Sequence, residues 1–326
     1  MARKMKKRTK RKLQKGIISI ILVLILAIAG YTFQDQLPQG FLGNDATVGG
    51  PLANIPAVTD PDYLTVHYID VGQADSILIT CGGEYMLIDA GEKDSQDTVA
   101  HYLTDLGIAR LDLVVATHAH SDHIGEMDDV LNAVPADEIW YPDYRHGTKT
   151  EKDFLTAASN CGANLYEPQL GQIYDLGGAT VTVLGPVKQY EDPNDMSIIV
   201  MVQYGENRFL FTGDMENVDG AENDLIAHWG EDALKADVLK VGHHGASTST
   251  SYHFLRSVAP SYAVISVGEG NSYGHPTTEA LNILGQAEVY VYRTDYMGTI
   301  VAVSDGTEIA FSWVNTDQEP YIPDAK

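Results

Sequence analysis

The sequence predicts a layered α/β domain over residues 61–315, and three patterns carry that expectation. Short apolar runs of strand length alternate with segments of helical period, the mark of sheets covered by helices. Gly-Gly and Asp-Gly pairs sit between neighbouring apolar runs as hairpin turns. Four strands end in His or Asp where ordinary turn residues would suffice.

In chain order, 64–70 alternates like a half-buried strand, and 76–80 and 84–88 flank Gly82-Gly83 as a hairpin. Residues 98–106 carry apolar groups at helical spacing and stop at Gly107. The run 111–116 reads as a buried strand and 124–134 as a helix. Further strands are expected at 180–184, 197–202, 208–211, 237–241, 263–267 and 289–292. A helix over 278–284 follows Pro276, and a last hairpin turns at Asp305-Gly306.

The chain of 326 residues carries a net charge of -24, unevenly spread. Nine of its 21 Lys and Arg lie in residues 1–15, which hold no acid, so the other 12 face 45 acids, a balance of -33. A body this acidic lacks the basic footprint of a nucleic-acid binder. With 44% hydrophobic residues it is not a disordered acidic tail either. Residues 16–33 are uncharged and long enough to cross a bilayer as a helix. Their basic flank stays cytoplasmic and sends the rest outside. The alternative is a signal peptide cleaved after Ala29, which also exports the body. The expected organisation is therefore a basic head (1–15), an anchor (16–33), a linker broken by Gly and Pro (34–60), the domain (61–315) and a tail (316–326). Cys81 and Cys161 are the only cysteines; a disulfide is permitted outside the cell, but buried free thiols are the simpler reading.

The strand ends concentrate the chemistry. After 111–116 comes Thr117-His118-Ala119-His120-Ser121-Asp122-His123. His118 and His120, two apart in extended backbone, can converge on one cation, and Asp122 and His123 can face a second. This mixture of nitrogen and carboxylate ligands suits Zn²⁺, Mn²⁺ or Fe²⁺. Thr212-Gly213-Asp214 follows another strand, and Asp214 could bridge two metals. His243 and His244 follow a third, and His275 lies beyond the fourth, ahead of Pro276. Pro276 is expected to start the next helix, leaving His275 beside its N-terminus. His67, His101, His146, His228 and His253 read as ordinary strand, helix or loop residues.

These residues together resemble the metallo-β-lactamase superfamily, whose hallmark is the His-x-His-x-Asp-His run of His118 to His123. More narrowly, the domain resembles the metallo-β-lactamase-like domain of ComEC-type competence proteins. That likeness rests on Asp70-Val-Gly-Gln-Ala-Asp75-Ser, Ile88-Asp89-Ala-Gly91, Asn194-Asp-Met-Ser197 and Thr212-Gly-Asp214. Lys240-Val-Gly-His-His-Gly245, Tyr273-Gly-His-Pro276 and Thr294-Asp295 with Gly298 extend it. It implies a four-layer αβ/βα sandwich with two divalent metal ions, Zn or Mn, at one edge. Carried over by position, His118, His120 and Asp214 would hold the first ion, and Asp122, His123, Asp214 and His244 the second. His243 and His275 would contact substrate oxygen. The superfamily supplies a further His where this chain has Asp192-Pro-Asn-Asp-Met-Ser197, so Asn194, Asp195 or water would complete the first site. An oxygen-rich site of that kind makes Mn²⁺ plausible.

The expected function is an exported, membrane-anchored metallo-hydrolase, foremost of phosphodiester bonds by metal-bound hydroxide. Asp122 would orient the water, and His243 and His275 would stabilise the developing oxyanion. The alternatives are ester, lactone or β-lactam hydrolysis and, in another class, a non-catalytic metal-stabilised surface or competence-related binding protein. The -33 body argues against tight duplex DNA binding, since Lys235, Lys240, Arg256 and Arg293 are scattered.

Overall fold

The computed structural model describes residues 62–93 and 98–325. The basic head, the expected anchor and the linker lie outside the described residues. No helix among the described residues is long and apolar enough to cross a membrane.

The strands are β1 (Leu64–Tyr68), β2 (Ile77–Cys81), β3 (Glu84–Ile88), β4 (Leu111–Val115), β5 (Ala136–Trp140), β6 (Asn164–Tyr166), β7 (Ile173–Leu176) and β8 (Ala179–Gly185). They continue with β9 (Ile199–Tyr204), β10 (Asn207–Phe211), β11 (Val238–Lys240), β12 (Tyr262–Ile265), β13 (Tyr290–Arg293), β14 (Ile300–Ser304) and β15 (Ile309–Trp313). They form two sheets, ordered β15-β14-β1-β2-β3-β4-β5-β6 and β13-β12-β11-β10-β9-β8-β7. Each sheet changes from antiparallel hairpins to parallel strands part-way across: at β3 and β4 in the first, at β10 and β11 in the second.

Val66, Ile79 and Leu113 of the first sheet meet Val181, Val200 and Phe209 of the second in one apolar core. Burying each such side chain is worth roughly 1.5–3 kcal/mol. The outer face of the second sheet is covered by helices Ala221–Trp229, Tyr252–Val258 and Thr278–Gln286, through Leu225, Phe254 and Leu284. Helices Thr98–Asp105 and Met127–Ala133 bury Leu103 and Val130, and Lys149–Cys161 buries Phe154. The result is the expected αβ/βα sandwich.

Local differences from the sequence reading have physical causes. β1 is buried on both faces, because His67 turns away from the core and bonds Tyr102 of the helix Thr98–Asp105 at 2.8 Å. The helix expected over 124–134 is two, Ser121–Ile124 and Met127–Ala133. Gly125 intervenes, packed so closely that a Cβ there would lie 2.4 Å from the Lys93 backbone nitrogen. Pro276 does not begin the last long helix: Thr277 caps it, its hydroxyl accepting from the Ala280 N–H at 3.2 Å. Cys81 and Cys161 are both free.

Candidate metal centre

Strand direction explains why the motifs meet. β3 and β4 run parallel, so Asp89 and the run 117–123 leave the first sheet at one edge. β2 is antiparallel to β3, which brings Asp75, just ahead of β2, to that edge too. In the second sheet β10, β11 and β12 are parallel neighbours, and their ends carry Asp214, His243 with His244, and Ser266. The sheets are joined there by the Ile198 N–H, which donates to the Thr117 carbonyl at 3.0 Å.

Ligand atoms of Asp122, His123, Asp214 and His244 lie within 4.8 Å of one another. Asp214 Oδ2 is 3.2 Å from His123 Nε2, 3.7 Å from His243 Nε2, 3.9 Å from His118 Nε2 and 4.0 Å from His244 Nε2. His244 Nε2 is also 3.3 Å from Asp122 Oδ2. In the middle of this group, Asp214 Oδ1 and His123 Nε2 are buried and make no hydrogen bond. Buried polar atoms are normally paired, and these are a carboxylate oxygen and an imidazole nitrogen, donors that suit a divalent cation. The residues fit the metal that the sequence implies.

Below them lies a buried layer that aims the ligands. Asp89 accepts from the Thr117 N–H at 2.8 Å and the Thr117 hydroxyl at 2.7 Å, and it meets His123 Nδ1 at 2.7 Å. His123 therefore keeps Nε2 for the cluster. His244 Nδ1 faces the Ser266 carbonyl at 3.0 Å and Asp75 Oδ1 at 3.4 Å, which likewise frees its Nε2. Asp75 is itself held by Lys240 Nζ at 2.7 Å, and both side chains are buried. Such partners fix tautomer and ring orientation in metal sites. The backbone is strained at the same places: Asp89, His243 and His244 have φ of 56°, 47° and 53°. Gly213 is required ahead of Asp214, since its φ is 52° and a Cβ would lie 2.7 Å from Ser197 Oγ.

The electrostatics show what the cluster lacks. Burial disfavours the charged form of every group here, and opposite charges overcome it at four of them. Against burial, His123 and His244 hold Asp214 well below the usual carboxylate range. Against burial, the His244 hydrogen bond and His123 bring Asp122 down to about 2. Against burial, Asp214 and Asp89 hold His123 well above the usual imidazole range, and Asp214 and Asp75 push His244 up to about 10. His118 moves oppositely, lowered by burial and by the charge on His123. Protons on His123 and His244 thus supply positive charge that a divalent cation would replace.

The other expected residues fall around this group. His118 and His120 meet each other, Nε2 to Nδ1, at 3.0 Å. Only His118 of the two approaches Asp214, so the first set is looser than the second. Ser197 stands beside it, 3.4 Å from His118 Nδ1, and accepts from the Asp214 N–H. Asp195 turns away and accepts from the Glu216 N–H at 2.8 Å, while the buried Asn194 Oδ1 has no partner. His243 and His275 face each other at 5.7 Å between ring centroids. They line a cleft of about 330 Å³ above the cluster, with Gln73, His146 and Tyr273.

Sequence reasoning missed His146, whose ring packs edge-on against His120 at 5.4 Å. It missed the pairing of Lys240 with Asp75, and also Glu216, which bonds His243 Nδ1 at 2.7 Å. Asp75 and Asp89 stood inside recognisable motifs without a role, and no signal marked Glu216.

A sandwich with this His and Asp edge defines a class, and comparison agrees: residues 69–269 match the Metallo-beta-lactamase superfamily, to which the chain belongs. Within it the chain is similar to ComE operon protein 3 of Bacillus subtilis, 31% identical over 86% of this chain and 38% of that protein. It is also similar to the competence protein ComA of Neisseria gonorrhoeae, 30% identical over 75% of this chain and 33% of that protein. Recombination protein 2 of Haemophilus influenzae is 31% identical over 72% of this chain and 28% of its own length. The chain thus spans about a third of the length of these relatives. Among solved structures, the metallo-beta-lactamase fold protein YhfI of Bacillus subtilis superposes with a TM-score of 0.51 at 16% identity, over 74% of this chain and all of that one. CmlA, a diiron β-hydroxylase of Streptomyces venezuelae, gives 0.50 at 15% identity, over 72% of this chain and 53% of that one. At such identities the likeness is one of fold.

Proposed function

We propose that this chain is an exported, membrane-anchored, metal-dependent hydrolase of phosphodiester bonds. The observation that carries the reading is the cleft: five imidazoles, four hydroxyls and one carboxylate line it, in a chain with 45 acids. A phosphodiester presents two non-bridging oxygens that share one negative charge to such a donor-rich wall, whereas the lactam group presents one neutral carbonyl.

His118, His120, Asp122, His123, Asp214 and His244 would hold up to two divalent ions, Zn or Mn. Bound there, the metal supplies Lewis-acid charge and lowers the pKa of water. Asp122 reaches the cleft, its side chain 29% exposed, and orients the attacking water through its carboxylate. The surroundings of His243 and His275 shift them in opposite directions. Burial lowers His243, but the hydrogen bond to Glu216 and the charge of Asp214 raise it above its ordinary value. Burial and the neighbouring His243 lower His275. Groups pushed apart in this way divide acid and base roles. His243 donates to the leaving oxygen, and His275 hydrogen-bonds a non-bridging one. The competence and recombination names of two of the relatives support a role connected with competence.

Hydrolysis of bis-p-nitrophenyl phosphate and of a chromogenic cephalosporin, with defined Mn²⁺ or Zn²⁺, tests the reading. The phosphodiester is expected to be cleaved, and His120→Ala to abolish the cleavage. Activity on the cephalosporin alone overturns it, as does a metal-loaded protein that cleaves neither. The intact mass of the native protein tests the anchor, since processing after Ala29 removes the basic head.

A further inference from the structure

The turn from Asp70 to Asp75 follows β1 in the first sheet and meets the loop that follows β12 in the second. The two touch backbone to backbone: a Cβ on Gly268 would lie 2.7 Å from the Gln73 nitrogen. Asp75 of this turn belongs to the floor, where it pairs with Lys240. Gln73 instead lines the cleft with His243 and His275. Its carboxamide spans the two loops: Oε1 accepts from the Gly268 N–H at 3.1 Å, and Nε2 faces His275 Nδ1 at 3.5 Å.

The backbone of His275 is fixed by other groups. The Asn271 carboxamide accepts from the His275 N–H at 3.0 Å and the Tyr273 N–H at 3.2 Å. It donates to the carbonyls of Gly268 and His275 at 3.0 and 2.7 Å. Two residues on, the Thr277 N–H donates to the carbonyl of Gly245, the neighbour of His244, at 2.9 Å. The His275 ring has the rings of His243 and Tyr273 beside it, at 5.7 and 5.8 Å between centroids. Among the described residues, only Gln73 hydrogen-bonds that ring.

These bonds decide where the His275 proton sits. A backbone N–H only donates, so the Gln73 atom facing Gly268 is the carbonyl oxygen, and its NH2 group is turned to His275. An amide NH2 only donates in turn, so Nδ1 must offer its lone pair, and the ring proton is left on Nε2. We infer that Gln73 is a positioning residue that holds His275 in the Nε2–H tautomer, so that this ring meets the substrate as a hydrogen-bond donor. The inference rests on the contact between His275 and a non-bridging oxygen in the proposed hydrolysis, and it supplies the reason that contact has the right polarity. Burial and the charge of His243 disfavour a second proton on the ring, and an Nδ1–H would oppose the Gln73 NH2. Without Gln73 the proton is shared between the two nitrogens. A ring with its proton on Nδ1 turns the Nε2 lone pair toward a phosphate oxygen, two acceptors face to face.

The test uses the full chain in detergent, loaded with diamagnetic Zn²⁺, as wild type, Gln73→Glu and Gln73→Met. Long-range proton–nitrogen correlation spectra read which nitrogen of each imidazole carries the proton, and the signals lost in His275→Ala assign His275. Wild type is expected to show His275 protonated on Nε2. Gln73→Glu, whose carboxylate only accepts, should draw the proton to Nδ1, and Gln73→Met should leave a mixture. On bis-p-nitrophenyl phosphate, kcat/KM should fall about tenfold in Gln73→Glu, the loss of one hydrogen bond, and less in Gln73→Met. Wild-type His275 protonated on Nδ1 overturns the inference, as does an unchanged His275 spectrum in either variant. Activity lost in a variant whose His275 keeps its Nε2 proton assigns Gln73 to packing alone and overturns it too. If wild type cleaves no bis-p-nitrophenyl phosphate, the phosphodiesterase reading falls, whereas the role of Gln73 in setting the tautomer stands or falls on the spectra.

Discussion

Beneath the cleft, Asp75, Asp89 and Lys240 are buried, held by partners from other strand ends, and each touches a candidate ligand or a residue that does. Along its rim, His146 and Tyr273 are exposed. The floor keeps two imidazole nitrogens facing one point. The rim leaves its donors free for whatever enters. A metal centre needs the first arrangement and substrate choice needs the second, so substitutions in the two regions should separate metal binding from specificity.

The largest effect is expected at the junction of the floor and the cluster. Asp214→Asn removes the carboxylate around which four imidazoles gather, and should cost both metal and at least about a thousandfold in turnover. Metal analysis and phosphodiester hydrolysis on the same sample check this. Lys240→Met comes next, because it leaves Asp75 charged and buried without its partner. It should cost about 3–5 kcal/mol of stability, read by chemical denaturation, and the double variant with Asp75→Leu should recover most of it. Asp89→Asn weakens the hold on His123 and should reduce metal affinity by roughly 10- to 100-fold, measured against a fluorescent chelator.

The pH response of the floor has a definite sign. In metal-free protein His244 is raised from an ordinary 6.5 to about 10, so its protonation stabilises the fold fully below pH 6.5. That contribution fades as pH rises toward 10. Melting with a chelator should therefore move to lower temperature across this window, while metal-loaded protein, whose ligand histidines are already neutral, should shift far less. The smallest effect belongs to the rim: Tyr273→Ala should change stability by less than about 0.5 kcal/mol while raising KM for bis-p-nitrophenyl phosphate. A comparable stability loss there would erase the contrast between floor and rim.

How far these regions were legible in the sequence follows from the same contrast. The run His118 to His123, Asp214, His244 and the sandwich itself were readable, because ligand-type residues at successive strand ends have few other uses. β5 was not, since Asp137 and Glu138 interrupt its apolar pattern and are satisfied only by Arg110 and Tyr166 after folding. The helix Lys149–Cys161 carried readable signals, a Thr148 cap and Gly162 at its end, but few apolar residues to draw notice. Lys240 read as one of several scattered cations, for a strand-end lysine is ordinarily exposed. Its pairing with Asp75 is long-range, and no local pattern encodes it. His146 read as a loop residue because only the fold brings that loop against His120.

Metal content, measured by mass spectrometry on the full chain and on Asp214→Asn after identical loading with Mn²⁺ or Zn²⁺, addresses the central claim most directly. Wild type should retain at least one equivalent through dialysis, and the folded variant should retain none. Equal retention by both, or a folded wild type that retains no divalent ion, would contradict a metal centre built on Asp122, His123, Asp214 and His244.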